Sequence, residues 1–232
     1  MSLDAAELAR YARQLILPGF SATSQDFLRA ARVHVIGAGE VAGPALLYLA
    51  AAGVGTLFLD DGLDVAPEDM AAWLYRADQV GEPRLFSAVA ALREATPWVK
   101  ARPYATGSDP TAVLVCTASL GVAREAAERA RVAGVPHVVA VADGDGGEVV
   151  AVPSGAPCYA CASRPGSGAL PWPGVAAALG ALGALEVLLI LAGLAQGEPG
   201  RRIDLVLGQP QARATTRVPG CPCEARKGAG AA

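Results

Sequence analysis

The chain has little charge, few aromatic side chains and only two histidines among its 232 residues. Charged residues make up 18% of the sequence and hydrophobic residues 53%, which excludes an intrinsically disordered chain and favours a sizeable buried core. The formal net charge of −3 provides no basic surface, so a nucleic-acid partner is not expected. The length suits one large domain or two small ones.

The N-terminus lacks the basic and apolar regions of a secretory signal, because Met1 is followed by Ser-Leu-Asp-Ala-Ala-Glu. Five cysteines, an odd number, in a chain without such a signal favour thiols or metal ligands over disulfides. We therefore expect a protein of the reducing cytoplasm.

One long hydrophobic run covers residues 174–197, which consist almost entirely of Ala, Leu, Val, Gly and Ile. The run is about long enough to cross a bilayer. However, Glu186 lies in its middle, where charge is costly in lipid, and no Lys or Arg flanks it closely. Such a composition also marks a central buried helix, which we favour, and no membrane span is expected.

Alternating strand and helix patterns indicate an α/β fold. A short β-branched run over residues 32–36 predicts a buried strand, a small-residue helix follows over residues 43–52, and residues 55–61 form the next strand. This series has the size of one βαβ unit. We therefore predict a Rossmann-like fold, with a mostly parallel central sheet, helices on both faces and a β-hairpin extension. Further strands are predicted at residues 112–117, 136–141, 148–152 and 202–207, and helices at residues 8–15, 24–31, 84–95 and 122–133, with a loop and helical turn at 64–79 and a hairpin turn at 143–147.

A glycine loop lies between the first strand and its helix. Its sequence, Gly37-Ala38-Gly39-Glu40-Val41-Ala42, fits the G-x-G-x-x-G/A pattern of nucleotide-binding loops. The first glycine makes the turn, the second allows the backbone to approach a phosphate, and the small sixth residue packs helix on strand. Asp60 or Asp61, at the end of the next strand, is placed to accept both ribose hydroxyls. Alone, the loop fits a nicotinamide or flavin enzyme equally well.

Further motifs surround the glycine loop in a fixed order, and together they resemble the ThiF/MoeB family over essentially the whole chain. The resemblance implies an enzyme that joins AMP to the C-terminal carboxylate of a small ubiquitin-fold carrier protein or peptide. It also implies a dimer, formed with a second copy or with an active homologue. The motifs are Arg10-Tyr-x-Arg-Gln14 with Leu17-Pro-Gly-Phe20, Tyr48-Leu-Ala-Ala-Ala-Gly-Val-Gly55, Val80-Gly-Glu-Pro-Arg84, Pro157-Cys-Tyr-x-Cys161 and Pro219-Gly-Cys-Pro-Cys223.

The resemblance assigns nucleotide-binding roles to retained residues. Arg10 or Arg13 would reach the phosphates of the neighbouring subunit, and Arg13 and Arg84 are the candidates for a catalytic role. Arginines on a helix also fit solvated charges, and glycines also fit a tight turn without a ligand. The candidate nucleotide-binding residues are Gly37, Gly39, Asp61, Arg10, Arg13 and Arg84.

Several positions depart from the family pattern. Adenylation brings a carboxylate against a triphosphate, so the site needs cations and Mg²⁺. The strand end that carries the family's metal-binding aspartate has Ala118 here, and the third glycine of the loop is Glu40, which faces either the phosphates or solvent. The family's Asn and Arg fall at Asp69 and Ala72, and its lysine is Arg84. Residues 169–174 lack the reactive cysteine of many members.

These departures predict weak binding of ATP and Mg²⁺ and adenylation near background, since each lost transition-state contact is worth about a hundredfold. Two functions remain open. The chain is either an activating enzyme with impaired chemistry or a non-catalytic subunit or scaffold that pairs with a carrier or an active homologue. A nicotinamide-dependent oxidoreductase explains the glycine loop and none of the other motifs.

Four of the cysteines form two pairs, and by the resemblance they hold a structural Zn²⁺. The second pair is one residue shorter than the family's, which would strain chelation, so free thiols or a disulfide stay as alternatives. Cys116, His34 and His137 lie in strand patterns and are interpreted as packing residues. The zinc candidates are Cys158, Cys161, Cys221 and Cys223; residues 1–232 are expected to form one domain, with an N-terminal helical arm at 1–30, a crossover loop at 153–173 and a Cys-containing tail at 215–232.

Overall fold

The computed structural model describes residues 3–195, 199–206 and 209–223. The ends of the predicted apolar helix and of the last predicted strand, and the tail beyond residue 223, lie outside these residues. Two short 3-10 helices occupy Pro67–Ala72 and Ala77–Gln79. The α-helices are α1 (Ala5–Leu15), α2 (Ala22–Ala30), α3 (Ala42–Ala51), α4 (Arg84–Ala95), α5 (Leu120–Val132), α6 (Tyr159–Ala162) and α7 (Pro173–Leu191); the strands are β1 (Arg32–Ile36), β2 (Thr56–Asp60), β3 (Lys100–Pro103), β4 (Ala112–Thr117), β5 (His137–Asp143), β6 (Gly146–Val152), β7 (Arg201–Val206) and β8 (Gln209–Ala214).

The strands form one eight-stranded sheet in the order β3-β2-β1-β4-β5-β6-β7-β8. The first five strands in this order, β3, β2, β1, β4 and β5, pair in parallel, whereas β6, β7 and β8 are added antiparallel. The predicted α/β class and hairpin extension are confirmed, although the hairpin turn is shorter than expected because β5 runs to Asp143 and β6 starts at Gly146. The chain reverses its direction of winding between β1 and β4, where open α/β sheets bind ligands at the carboxyl ends of the strands.

Helix α7 lies at the centre of the core. It packs against α3 and against β4, β5 and β6. The contact with α3 is close because a Cβ at Gly180 would lie 1.9 Å from the Val41 carbonyl oxygen. By length and composition α7 is long and apolar enough to cross a membrane. Its burial against the sheet explains the same composition, and the carboxylate of Glu186 is buried in an ion pair with Arg201 at 2.5 Å.

The N-terminal helices dock on the carboxyl end of α3. The side-chain amides of Gln14 and Gln25 each donate to the Ala52 carbonyl oxygen, at 3.0 Å. The last carbonyl groups of a helix have no partner within it, so these amides supply the missing donors. Tyr11 is buried against Gly53. The arm is thereby fixed at the end of α3 that lies away from the glycine loop.

Candidate functional site: a cleft at the glycine loop

The glycine loop is held in shape by the chain itself. Gly37 has a φ of +97°, and a Cβ there would lie 2.1 Å from the Cys116 carbonyl oxygen. Only glycine fits this turn. The Gly37 N–H donates to the Asp60 carbonyl oxygen at 2.9 Å, and the loop leads directly into the amino end of α3. That end carries the positive end of the helix dipole, which favours a negatively charged or polar ligand group.

The two aspartates predicted for the ribose occupy different environments. Asp61 is buried: its carboxylate accepts the Ala38 N–H at 2.7 Å and the Leu63 N–H at 2.8 Å. The side chain of Asp60 is 53% exposed and lies on the wall of the cleft. Asp61 therefore supports the loop from below, and Asp60 is the aspartate with an accessible carboxylate.

Tyr75 supports the loop from the same side, which the sequence did not indicate. Its hydroxyl donates to the Ala38 carbonyl oxygen at 2.6 Å. Burial raises the pKa of this phenol well above its usual value, so it remains a donor at all ordinary pH values. With Asp61 it satisfies both backbone groups of Ala38.

Arg84 lies beneath Gly39 and is already paired. Its Nη2 is 2.7 Å from Asp69 Oδ2 and its Nη1 is 3.4 Å from Asp61 Oδ2. The side chain of Arg84 is 12% exposed and that of Asp69 is 3% exposed. A Cβ at Gly39 would meet Arg84 Nη1 at 3.1 Å and Asp69 Oδ1 at 3.2 Å. The expected phosphate-binding cation is thus joined to two carboxylates directly below the loop.

The cleft above this pair has a volume of about 590 Å³. The two residues after β4, Ala118 and Ser119, lie on its wall, and residues 168–171 of the crossover loop complete it. Among the described residues that line the cleft, Arg84 is the one basic side chain and five are acidic: Glu40, Asp60, Asp61, Glu68 and Asp69.

Glu40 faces the cleft, and its surroundings disfavour its charge. Burial raises the pKa of its carboxyl group, and the carboxylates of Asp69 and Glu68 raise it further, against the opposing effect of Arg84. The alternative in which Glu40 points only to solvent is not observed, since it lines the cleft and is half-buried. An anionic ligand at the loop would therefore meet a carboxylate.

The crossover loop is fastened beside the cleft by Asp143. Its carboxylate accepts from the Ser167 N–H and hydroxyl, both at 2.6 Å, and from the Ala169 N–H at 3.0 Å. The Ser167 hydrogen bond lowers the pKa of Asp143. These contacts place residues 168–171 on the wall of the cleft, and none of these four residues carries a thiol. Cys116 also lines it, but burial raises the pKa of its thiol, which makes it a packing residue and not a nucleophile.

The N-terminal arginines lie away from this cleft. The Arg10 guanidinium stacks on Trp98, 4.1 Å from the ring centroid, and Arg13 is exposed on the last turn of α1. Since α1 docks on the far end of α3, neither side chain belongs to the cleft of its own chain. Any role at a nucleotide would need a second subunit.

The four paired cysteines come together at a second place. The Sγ–Sγ distances are 3.6 Å for Cys158–Cys221 and for Cys161–Cys223, and 3.8 Å for Cys158–Cys161, and all four lie within 4.8 Å of one another. Zinc–sulfur bonds of 2.3 Å in a tetrahedron place sulfurs about 3.8 Å apart. The residues therefore fit a tetrahedral metal site. Both thiols of the short Cys221-x-Cys223 pair reach the cluster.

Comparison with known proteins agrees with this architecture. Residues 11–202 match the model of the ThiF family. The chain belongs to the ThiF family. It is 34% identical to protein HesA, vegetative, of Trichormus variabilis, over 84% of this chain and 80% of that protein. It is 32% identical to the molybdopterin-synthase adenylyltransferase of Escherichia coli, over 94% and 97% of the two chains.

Two other similar proteins are either much longer than this chain or much less similar to it in sequence. The adenylyltransferase and sulfurtransferase MOCS3 of Bos taurus is 34% identical over 86% of this chain, which spans only 49% of that protein. Among solved structures, E. coli MccB with ATP superimposes with a TM-score of 0.79 at 18% identity, covering 95% of this chain and 75% of that one. This likeness shows the shared fold.

Proposed function

We propose that this ThiF-family chain binds the C-terminal carboxylate of a small ubiquitin-fold carrier protein or a peptide, and that its own ATP-dependent adenylation is close to background. Its relatives include the adenylyltransferases named above. Membership of this family supports the binding of a carrier, and the charge of the cleft, in which five carboxylates accompany one guanidinium among the described lining residues, carries the proposal of background adenylation. We propose that the protein acts in the cytoplasm.

The chemistry explains why this charge matters. Joining AMP to a carboxylate requires two anions to approach, and negative charge develops on the phosphates as they react. The residues around the site must offset that charge with cations or a metal ion. Here Arg84 is neutralised by Asp61 and Asp69, and Ala118 has no oxygen ligand for Mg²⁺ at the strand end. ATP and Mg²⁺ are accordingly proposed as weak ligands.

ATP–pyrophosphate exchange tests the proposal. The full chain is assayed with Mg²⁺ and a panel of ubiquitin-fold carriers and peptides that end in small residues, with an active relative as the positive control. We expect exchange indistinguishable from the protein-free reaction, together with measurable carrier binding. Exchange at the rate of the active relative would contradict impaired adenylation.

A second candidate function is a non-catalytic subunit of a pair. The exposed position of Arg13 outside its own cleft supports it, because a nucleotide contact by this side chain would require a neighbouring subunit. In this reading the chain forms a heterodimer with an active homologue and not only a homodimer. Co-expression with such a homologue should raise its exchange rate, and Arg13→Gln should remove the increase, whereas Arg76→Gln, at an exposed arginine paired with Asp78, should retain it. Purification as a self-dimer alone would remove the support.

We also propose that the four-thiol cluster holds a structural Zn²⁺. Cys158, Cys161, Cys221 and Cys223 would supply four sulfur ligands, as structural zinc sites do. The ion would join the crossover loop to the tail, with no part in the chemistry of the cleft.

A further inference from the structure

We propose that Asp69 decides which ligands the cleft accepts: by holding Arg84 in a buried ion pair, it restricts the cleft to uncharged or singly phosphorylated nucleosides. The inference rests on the proposed function, since it assumes that the glycine loop still receives a nucleoside. It goes further by naming the residue that sets the charge class of the ligand.

The ion pair leaves Arg84 little freedom to meet a phosphate. Its Nη2 binds Asp69 at 2.7 Å and its Nη1 lies 3.4 Å from Asp61. The Nε is buried and has no hydrogen-bond partner in the described part of the chain. Asp69 is itself fixed, because its Oδ2 accepts the Ala66 N–H at 2.8 Å.

The pair lies where a phosphate would approach. The second glycine of such a loop normally admits a phosphate to the backbone, and here the space below Gly39 is shared by Arg84 Nη1 and Asp69 Oδ1 at nearly equal distance. A phosphate would therefore face a neutralised pair with Glu40 and Glu68 around it. Each added phosphate increases the repulsion, so affinity should fall from AMP to ADP to ATP.

The neighbouring Glu68 provides a matched comparison. It also lines the cleft, but it is exposed, and no ion pair joins it to Arg84 among the described residues. Asp69→Asn and Glu68→Gln each remove one negative charge from the same cleft. Only Asp69→Asn also releases Arg84, and its amide oxygen can still accept the Ala66 N–H.

The experiment is calorimetric titration of the full-length protein with adenosine, AMP, ADP and ATP, first without added metal. For the native chain we expect ATP to bind at least about tenfold more weakly than AMP. Asp69→Asn should reduce this AMP-to-ATP ratio by about tenfold, whereas Glu68→Gln should change it by less than about threefold, because an exposed charge is screened. Adding Arg84→Gln to Asp69→Asn should abolish the gain.

Titrating the native chain with ATP and AMP at increasing salt concentration tests the same repulsion without the use of a variant. Between 0.1 M and 1 M salt the screening length falls from about 10 Å to about 3 Å. ATP binding should then strengthen relative to AMP binding, because the repulsion is screened. At a site built from free cations, ATP binding would weaken instead.

Besides a weakening of ATP binding relative to AMP binding at high salt, three results would overturn the inference. They are equal effects of Asp69→Asn and Glu68→Gln, native binding of ATP as tight as that of AMP, and native binding of none of the four compounds. None of them requires the proposed function to fail, because background pyrophosphate exchange is compatible with each. Rapid exchange by the native chain would mark the failure of the proposed function separately.

Discussion

Glu40 places a carboxylate at the position where the loop would receive phosphate. It lines the cleft beside Glu68 and Asp69, and its pKa is raised by burial first and by these two carboxylates next. A carboxyl group with a raised pKa in the folded state stabilises the protein at low pH. That contribution is lost as the pH rises from the ordinary value of 4.5 through the raised one. At neutral pH the charged form is therefore a cost to the fold.

We predict that Glu40→Gln unfolds at a higher temperature than the native chain near neutral pH. The difference should shrink as the pH falls through the raised pKa and should be absent well below 4.5, where both side chains are neutral. Glu94→Gln, at an exposed carboxylate on α4 outside the cleft, serves as the control for the loss of one negative charge. Thermal unfolding across this pH range checks the prediction, and a constant difference for Glu40→Gln would contradict it.

At the site, the sequence could predict the residues that belong to a motif, but it could not predict the ion pairs that these residues form. Gly37 was identifiable because its turn requires glycine, and Arg84 because it ends an ordered motif. The ion pair of Arg84 with Asp69 was not, although the departure at Asp69 was visible. The two residues are fifteen positions apart, so their contact depends on how the 3-10 helix Pro67–Ala72 folds against the start of α4.

Close contact between α3 and α7 holds the glycine loop in place at the level of whole elements. Gly180 of α7 lies against the carbonyl group of Val41, the N-cap residue that precedes α3. Gly183, one turn further, faces Ala140 and Leu114 of the sheet. Small residues on α7 therefore set how near the amino end of α3 lies to the core, and so where the cleft begins.

We predict that Gly180→Ala destabilises the protein by about 2 kcal/mol or more, because the added methyl group would lie 1.9 Å from a carbonyl oxygen that is fixed by the backbone. Gly174→Ala, in the first turn of the same helix with no atom within 4 Å of the added Cβ, should be neutral or stabilising by up to about 1 kcal/mol. Urea unfolding of both variants compares them. Equal free energies of unfolding would show that the helices separate easily.

Strands and helices could be predicted from the sequence where they carry a clear hydrophobic pattern. The strands β1, β2, β4, β5 and β6 are apolar and buried, and all were expected. The edge strands β3 and β8 were missed, since Lys-Ala-Arg-Pro and Gln-Pro-Gln-Ala-Arg-Ala carry no strand pattern. Pairing with β2, which lies far away in sequence, makes β3 a strand, and pairing with the neighbouring β7 makes β8 a strand. The four-residue α6 within the crossover loop was too short to leave a periodic signal.

The thiol cluster connects distant parts of the whole molecule. Cys158 and Cys161 belong to the crossover loop that borders the cleft, and Cys221 and Cys223 belong to the tail. Burial raises the pKa of the Cys158 thiol to about 12, so in the absence of a metal this sulfur stays protonated. Metal binding would replace that proton and tie the tail to the body.

That all of residues 1–232 form one domain stays a prediction.

We predict that the purified protein carries about one zinc ion per chain and that a strong chelator lowers its unfolding temperature. Cys223→Ser should lose the metal and unfold at the temperature of the chelated native protein. Cys116→Ala, at the cysteine outside the cluster, should retain the full zinc content. Metal analysis with thermal unfolding decides the matter, and a native chain that is metal-free and indifferent to chelator would contradict a structural zinc.

The most direct measurement of the central claim is calorimetric titration of the native chain with ATP in the presence and absence of Mg²⁺. With five carboxylates around one neutralised guanidinium and Ala118 at the strand end, we predict that Mg²⁺ brings only the modest gain in affinity expected from lowering the net charge of ATP, and no gain from a metal ligand at the strand end. Ala118→Asp should introduce such a gain. Tight, magnesium-dependent binding of ATP to the native chain would contradict the account.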